Sequence, residues 1–380
     1  MTLYLDCSIS FSPLHYRIDF YHDLLNSSSL FAASIAHLGA KFAIVCNETI
    51  APLYGNKLCQ ALQQLGLKSD LLMIKDGEKY KTRTTKETLE NELLKKSYGR
   101  DCCLIALGGG VVMDLAGFIA ATFCRGISLV MVPTSLLGMV DAAIGGKTAV
   151  NAIEGKNLIG TFYHPKKIAI DPYFLKTLIA NELKNGFAEA IKYGAILDSS
   201  FFDYLKEQVH LLLALDLKEI EKMIFKSCQL KLQVVTADPN ESGLRHLLNF
   251  GHTAAHALEK VTNFEIAHGQ AVALGMALEA YLAFLEGYLK KSDLLALIQL
   301  LQLFGFSLKL AASIEDQALI HTMNADKKAL KRQPRFVMMK EIGAAVSFAG
   351  SYCATASVKN IEQAVKWMKN DLCSYPRADL

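Results

Sequence analysis

Between residues 41 and 171 the chain alternates short apolar runs with amphipathic stretches. KFAIVCN (41–47), SDLLMIK (69–75), DCCLIALGGG (101–110), ISLVMVPTS (127–135) and KIAID (167–171) read as buried strands. YGNKLCQALQQLG (54–66), TTKETLENELLKKSYG (84–99) and MDLAGFIAATFCRG (113–126) carry helical spacing. Strands separated by helices of this length predict βαβ units and a mostly parallel sheet. From about Asn181 the pattern becomes almost purely helical, in NELKNGFAEAIKYGAILD, LKEIEKMIFKSCQLKLQVVTA, GLRHLLNFGHTAAHALEKV, GQAVALGMALEAYLAFLEG and SDLLALIQLLQLFG. The expectation is an α/β fold in two units: a Rossmann-like nucleotide-binding unit over 1–178 and an all-helical, metal- and substrate-binding unit over 179–380. No flexible linker separates them, so a cleft between the two is the default place for a site.

Composition narrows the class. Of 380 residues, 52% are hydrophobic and 20% charged, which suffices for a sizeable core. A net charge of +3 gives no ground for a nucleic-acid or membrane partner. Nine cysteines without a regular paired spacing suit a reducing cytosol. The N-terminus shows no basic segment followed by an apolar run, so no signal peptide is expected.

Chemistry concentrates in four stretches. ALGGGVVMDLAG places Gly108, Gly109 and Gly110 between a strand and a helix, where they form either a tight turn or a phosphate cradle. MVDAAIGGKTAVNAIEGKNLIG (139–160) holds two glycine–lysine pairs with Asp141 and Asn157, too apolar for a solvated loop. NGFAEAIKYG puts Glu189 and Lys192 on one helix face, where an ordinary surface ion pair is the plainer account. NFGHTAAHALEKVTNFEIAHG (249–269) gathers three of the ten histidines. His252 and His256 lie one helical turn apart, and His268 opens the next helix. Spacing nominates His252 and His256 as metal co-ligands, but it does not separate that from one ligand plus one proton-transfer residue. Arg245, Asn249, His252 and His256 recur at i, i+4, i+7 and i+11, which reads as one continuous helical stripe walling a polar pocket.

Taken together, GGGVVMDLAGF, RGISLVMVPTSLLGMVDAAIGGKTAVN, GKNLIGTFYHP, FLKTL, GFAEAIKYG, ESGLRHLLNFGHTAAHALE, AHGQAVALGM and DKK resemble the 3-dehydroquinate synthase family, in family order from about 105 to 330. The resemblance implies bound NAD⁺, a catalytic Zn²⁺ with Co²⁺ as an alternative, and a homodimer. It implies that the metal ligands are Glu189, His252 and His268, which overrules the His252–His256 pairing. It gives catalytic roles to Lys147, Lys192, Glu241 and His256. Substrate contacts fall on Arg125, Asp141, Lys147, Asn157, Lys192, Lys231, Arg245, Asn249, His252, His256 and one of Lys327 and Lys328. The NAD side falls on Asn47, Glu78, Lys81, Gly109, Gly110, Val111, Asp114, Thr134, Ser135, Lys156 and Thr177. The implied reaction converts 3-deoxy-arabino-heptulosonate 7-phosphate into 3-dehydroquinate by NAD-mediated oxidation, phosphate elimination, re-reduction and intramolecular aldol closure, in the shikimate pathway of aromatic amino acid biosynthesis. Another sugar-phosphate cyclase or a metal-dependent polyol dehydrogenase are the competing readings. The chain departs from the family at Asn47, where Asp is common, at Met113, and at Ala142 and Ala143.

Overall fold

The structure, a computed structural model, describes residues 15–324 and 333–370. Six strands form one fully parallel sheet: β1 (Arg17–Phe20), β2 (Lys41–Asn47), β3 (Ser69–Ile74), β4 (Cys102–Gly108), β5 (Ser128–Pro133) and, further along the chain, β8 (Lys167–Ile170), in the order β1-β8-β5-β4-β2-β3. Cys102 to Gly108 are buried throughout, as a central parallel strand with both faces covered requires. Helices α1 (Ser28–Ile35), α2 (Asn56–Gln64), α3 (Arg83–Lys95) and α4 (Gly110–Thr122) make the crossovers. After β2 the chain pairs β3 at the edge, then returns to β4 on the other side of β2. The strand order reverses there, so the crevice at the carboxyl ends of β2 and β4 is the natural ligand position of such a sheet.

Residues 147–162, read from sequence only as a stretch of glycine–lysine pairs, form an antiparallel hairpin of β6 (Lys147–Ala152) and β7 (Gly155–Phe162). β6 packs on α4, with Thr148, Ala149 and Val150 buried. The edge strand β1 was also not anticipated; it pairs β8 from Arg17↔Lys167 to Phe20↔Ile170.

The rest is mainly helical: α5 (Ala180–Leu197), α6 (Ser199–Glu207), α7 (Val209–Leu213), α8 (Leu217–Ala237), α9 (His252–Val261), α10 (His268–Leu285), α11 (Lys291–Leu303), α12 (Asp316–Asn324) and α13 (Val358–Asn370). A small hairpin, β9 (Met339–Glu341) with β10 (Ala344–Ala345), is added to this helical part. Among the described residues no helix is long and apolar enough to cross a membrane.

The expected continuous helix from Gly243 to Val261 is corrected. Leu244–Asn249 form a short 3₁₀ turn, and α9 starts afresh at His252. Between them Gly251 has φ 78°, a left-handed value that glycine adopts without a Cβ penalty. Gly251 also lies against α10: a Cβ on Gly275 would come within 1.9 Å of the Gly251 carbonyl oxygen. Close packing of α10 accompanies the break, so Arg245 and Asn249 stand on a separate segment from His252 and His256 rather than on one stripe.

Candidate active site

α5 contributes Glu189 and Lys192, which are 0% and 2% exposed. The plain surface ion pair is thus excluded: the two are paired inside the protein. A buried ion pair costs desolvation that hydrophobic packing would avoid, so it marks a position kept for chemistry. Lys192 also donates to the Leu248 carbonyl at 2.9 Å. Glu189 Oε1 is buried, accepts no hydrogen bond among the described residues, and faces His252 Nε2 at 3.4 Å and His268 Nε2 at 3.5 Å. The candidate ligand atoms of Glu189, His252 and His268 lie within 4.8 Å of one another. His252 is the first residue of α9 and His268 the first of α10, so both project from helix starts toward α5.

The far nitrogen of each ring is held. His252 Nδ1 lies 3.1 Å from the Phe250 carbonyl, and His268 Nδ1 lies 3.2 Å from Glu259 Oε1. A hydrogen bond at Nδ1 orients each ring so that its Nε2 faces Glu189. Burial pushes His252 down to about 4, so the ring is neutral at neutral pH. Burial acts the same way on His268, but the carboxylates of Glu189 and Glu259 outweigh it and raise the ring to about 9. The two carboxylates thus call for a positive charge at His268. One carboxylate and two imidazoles, with a carboxyl oxygen lacking a donor, fit a divalent Zn²⁺- or Co²⁺-type ion with an open position.

Beside this cluster stand the candidate substrate residues. Asp141, in the turn Gly138–Ala142, accepts from Tyr193 Oη at 2.5 Å and from Lys231 Nζ at 2.7 Å. Burial opposes its ionisation, yet Lys231 and Lys192 outweigh burial and the opposing charge of Glu189, and hold the carboxyl at about 2. Lys147, at the start of β6, pairs with Glu241 Oε2 at 2.6 Å, and Asn249 Nδ2 donates to Glu241 Oε1 at 3.1 Å. Glu241 is held at φ 57°, an uncommon value for a residue with a Cβ. Arg245 is 1% exposed; its terminal nitrogens donate to the Pro239 and Gly145 carbonyls at 2.8 Å each, and its Nε has no hydrogen-bond partner among the described residues. His256 stands one turn along α9, its ring centre 5.6 Å from that of His252. Asn157 is exposed on β7 with φ 56°. Arg125 is exposed after α4, and among the described residues no contact joins it to the cluster. Lys327 and Lys328 lie outside the described residues.

The candidate cofactor residues sit at the carboxyl ends of the central strands. Gly109 caps α4, and a Cβ there would lie 3.2 Å from Ser135 Oγ; the Thr134 amide donates to Gly108. Gly110 and Val111 open α4. Lys81 is buried between Asp114 at 2.9 Å and Glu78 at 3.0 Å, with Asn151 of β6 donating to Glu78 at 2.8 Å. Asn47 ends β2 with its Oδ1 accepting from the Ile50 amide at 2.9 Å. The turn that follows carries Tyr54, which bonds Thr177 at 2.5 Å. Lys156 stands apart from these: it reaches Glu259 on α9 at 3.3 Å.

Three contributors escaped sequence reading. Glu259 continues the His252–His256 face at i+7, so the helical period could have found it. Asp238 follows α8 and accepts from the Ser242, Gly243 and Arg245 amides, which folds the loop carrying Glu241 and Arg245. Tyr193 left no signal beyond its place next to Lys192.

The N-terminal family of 3-dehydroquinate synthase matches residues 71–185 and the C-terminal family matches 186–329. A solved 2-epi-5-epi-valiolone synthase from Streptomyces hygroscopicus subsp. jinggangensis 5008, with NAD⁺ and Zn²⁺ bound, is similar at 27% identity, over 95% of this chain and 98% of that one, with a TM-score of 0.84. A 2-deoxy-scyllo-inosose synthase complexed with carbaglucose-6-phosphate, NAD⁺ and Co²⁺ shares the fold at 23% identity, over 92% and 96%, with a TM-score of 0.85. A probable glycerol dehydrogenase from Sinorhizobium meliloti 1021 shares it more distantly, at 16% identity over 94% and 98%, with a TM-score of 0.67.

Proposed function

The chain belongs to the 3-dehydroquinate synthase family, and from that premise we propose that it converts 3-deoxy-arabino-heptulosonate 7-phosphate into 3-dehydroquinate and phosphate, as a phosphorus–oxygen lyase of the shikimate pathway. The observation that carries this reading is the set of cations around the carboxylate–histidine cluster. Lys147, Lys192, Lys231 and Arg245 come from four different elements of a chain with net charge of only +3. A substrate with both a carboxylate and a phosphate needs such a set. An alcohol dehydrogenase acting on a neutral polyol does not.

We assign residues 1–178 to the dinucleotide and 179–380 to the metal and most substrate contacts. Glu189, His252 and His268 would hold a Zn²⁺ or Co²⁺ ion, and the carboxyl ends of β2, β4 and β5 would hold NAD⁺. When bound, the dinucleotide supplies reversible hydride acceptance and the cation supplies Lewis acidity at the reacting oxygen. Lys192 is fixed by Glu189 and Leu248 next to that position, so its ammonium would bind the substrate oxygen that lies closest to the cation. Lys231 and Asp141 hold each other and offer a donor and an acceptor to ring hydroxyls. Lys147 is the accessible cation, its side chain 51% exposed. It would leave Glu241 for the entering phosphate, which frees a carboxylate oriented by Asn249 to accept a proton. His256 stands beside His252 on α9 and would move protons without binding the metal.

The test is product identity. The protein with NAD⁺ and Zn²⁺ should turn the heptulosonate phosphate into a species with the mass and NMR spectrum of 3-dehydroquinate. Failure on that substrate, with turnover of the precursor of 2-epi-5-epi-valiolone, would support the second reading. The 27% identity over nearly full length favours that reading over the dehydrogenase.

A further inference from the structure

A single carboxylate oxygen outside the three-residue cluster bridges two parts of the protein. Glu259 Oε1 lies 3.2 Å from His268 Nδ1 on one side and 3.3 Å from Lys156 Nζ on the other. Glu259 is 3% exposed on α9, while Lys156 belongs to β7 of the hairpin that packs on α4. The Lys156 ammonium also sits 4.3 Å from the centre of the Phe264 ring, in the loop between α9 and α10. The opposite nitrogen of His268 faces Glu189.

We infer that Glu259 is a positioning residue for the metal centre, and that Lys156 holds it in place from the hairpin. The inference rests on the proposed metal site. It adds to the role that family resemblance gives Lys156, which is contact with the dinucleotide. A ring as short as imidazole can turn about its Cβ–Cγ bond and present either nitrogen. Accepting from Nδ1 removes that freedom, leaves Nε2 toward Glu189, and makes the ring a stronger donor. A buried carboxylate used this way needs a compensating cation, or its desolvation would be uncompensated. Lys156 supplies that cation and ties the hairpin to the start of α10.

The test measures metal affinity by chelator competition on the protein without substrate, together with the visible spectrum of its Co²⁺ form and NAD⁺ affinity. Glu259→Gln keeps the shape but not the charge. It should weaken Zn²⁺ binding about 10- to 100-fold and shift the Co²⁺ bands, while the melting temperature with excess metal stays close to wild type. Glu259→Asp should recover part of the affinity. Lys156→Met should weaken Zn²⁺ binding by a smaller factor than Glu259→Gln, whatever it does to NAD⁺ affinity. Wild-type affinity in Glu259→Gln would overturn the role of Glu259. Unchanged metal affinity in Lys156→Met would overturn the role of Lys156. A wild-type protein that binds no divalent metal would instead sink the metal site on which both rest.

Discussion

Glu189 is the residue on which the proposed metal site turns, because it brings a carboxylate into a wholly buried position facing two imidazoles. Removing His268 opens the triad and leaves the charges of Glu189 and Glu259 without their shared partner. His268→Ala should therefore purify without metal, as read by elemental analysis, and full occupancy would remove it from the ligand set. His256→Ala should behave differently. Its ring shares a helix face with His252 but is not part of the three-ligand cluster, so that variant should keep metal and NAD⁺ while turnover falls about 10²–10⁴-fold, the usual worth of acid–base assistance. Loss of metal in His256→Ala would mean that the one-turn spacing, rather than the family pattern, had named the ligands. Asp238 gives a pH prediction. Burial alone would raise its carboxyl, but the Arg245, Ser242 and Gly243 amides together hold it below its usual value. A value depressed in the folded state adds stability above the unfolded value, near pH 4, and this is lost as pH falls through the folded value. Asp238→Asn should be less stable than wild type at pH 7, and the gap should close below about pH 4. An equal gap at pH 3 and pH 7 in denaturant melts would contradict this.

The break between the 3₁₀ turn Leu244–Asn249 and α9 sets the angle from which Arg245, Asn249 and His252 meet. Gly275→Ala would drive a methyl into the Gly251 carbonyl, so it should destabilise the protein by about 1–3 kcal/mol and weaken metal binding as His252 shifts. Unchanged melting and metal content would show that the α9–α10 approach has slack. This element also shows where sequence reading stops. The strands at 41–47 and 102–108 were legible because sheet burial on both faces writes an unbroken apolar run. The helix at 217–237 was legible from its bounds and period. The 245–256 stripe looked helical because four polar residues fell on a helical period, while the packing that accompanies the break comes from α10, sixteen or more residues away in sequence. The hairpin at 147–162 was hidden for a similar reason: its glycines and lysines sit beside only three consecutive buried residues, Thr148 to Val150, whose burial is set by packing on α4 and neighbouring elements rather than by an alternating pattern. Among site residues, His252 and His256 were found from helical periodicity, Glu259 on the same period was passed over, and Tyr193 and Asp238, which act through contacts distant in sequence or through a cap, were not found.

At the scale of the whole molecule, the site lies where the carboxyl ends of a parallel sheet meet a set of helices, and both parts supply polar groups to it. Asp141 bonded to Tyr193 and Lys231, Gly145 to Arg245, and Lys147 to Glu241 all cross from the first part of the chain to the second. These links would fix a dinucleotide and an anionic substrate relative to each other. We expect a homodimer, which sedimentation at micromolar concentration would show as twice the 41.8 kDa chain mass. The central claim is that the dinucleotide is regenerated within each cycle rather than consumed. It is tested most directly by giving the zinc-loaded protein the heptulosonate phosphate with NAD⁺ at about one hundredth of the substrate, while following inorganic phosphate and NADH together. The account predicts complete phosphate release, many turnovers per NAD⁺, and no accumulation of NADH. NADH rising in step with consumed substrate, and stopping when NAD⁺ is exhausted, would contradict it.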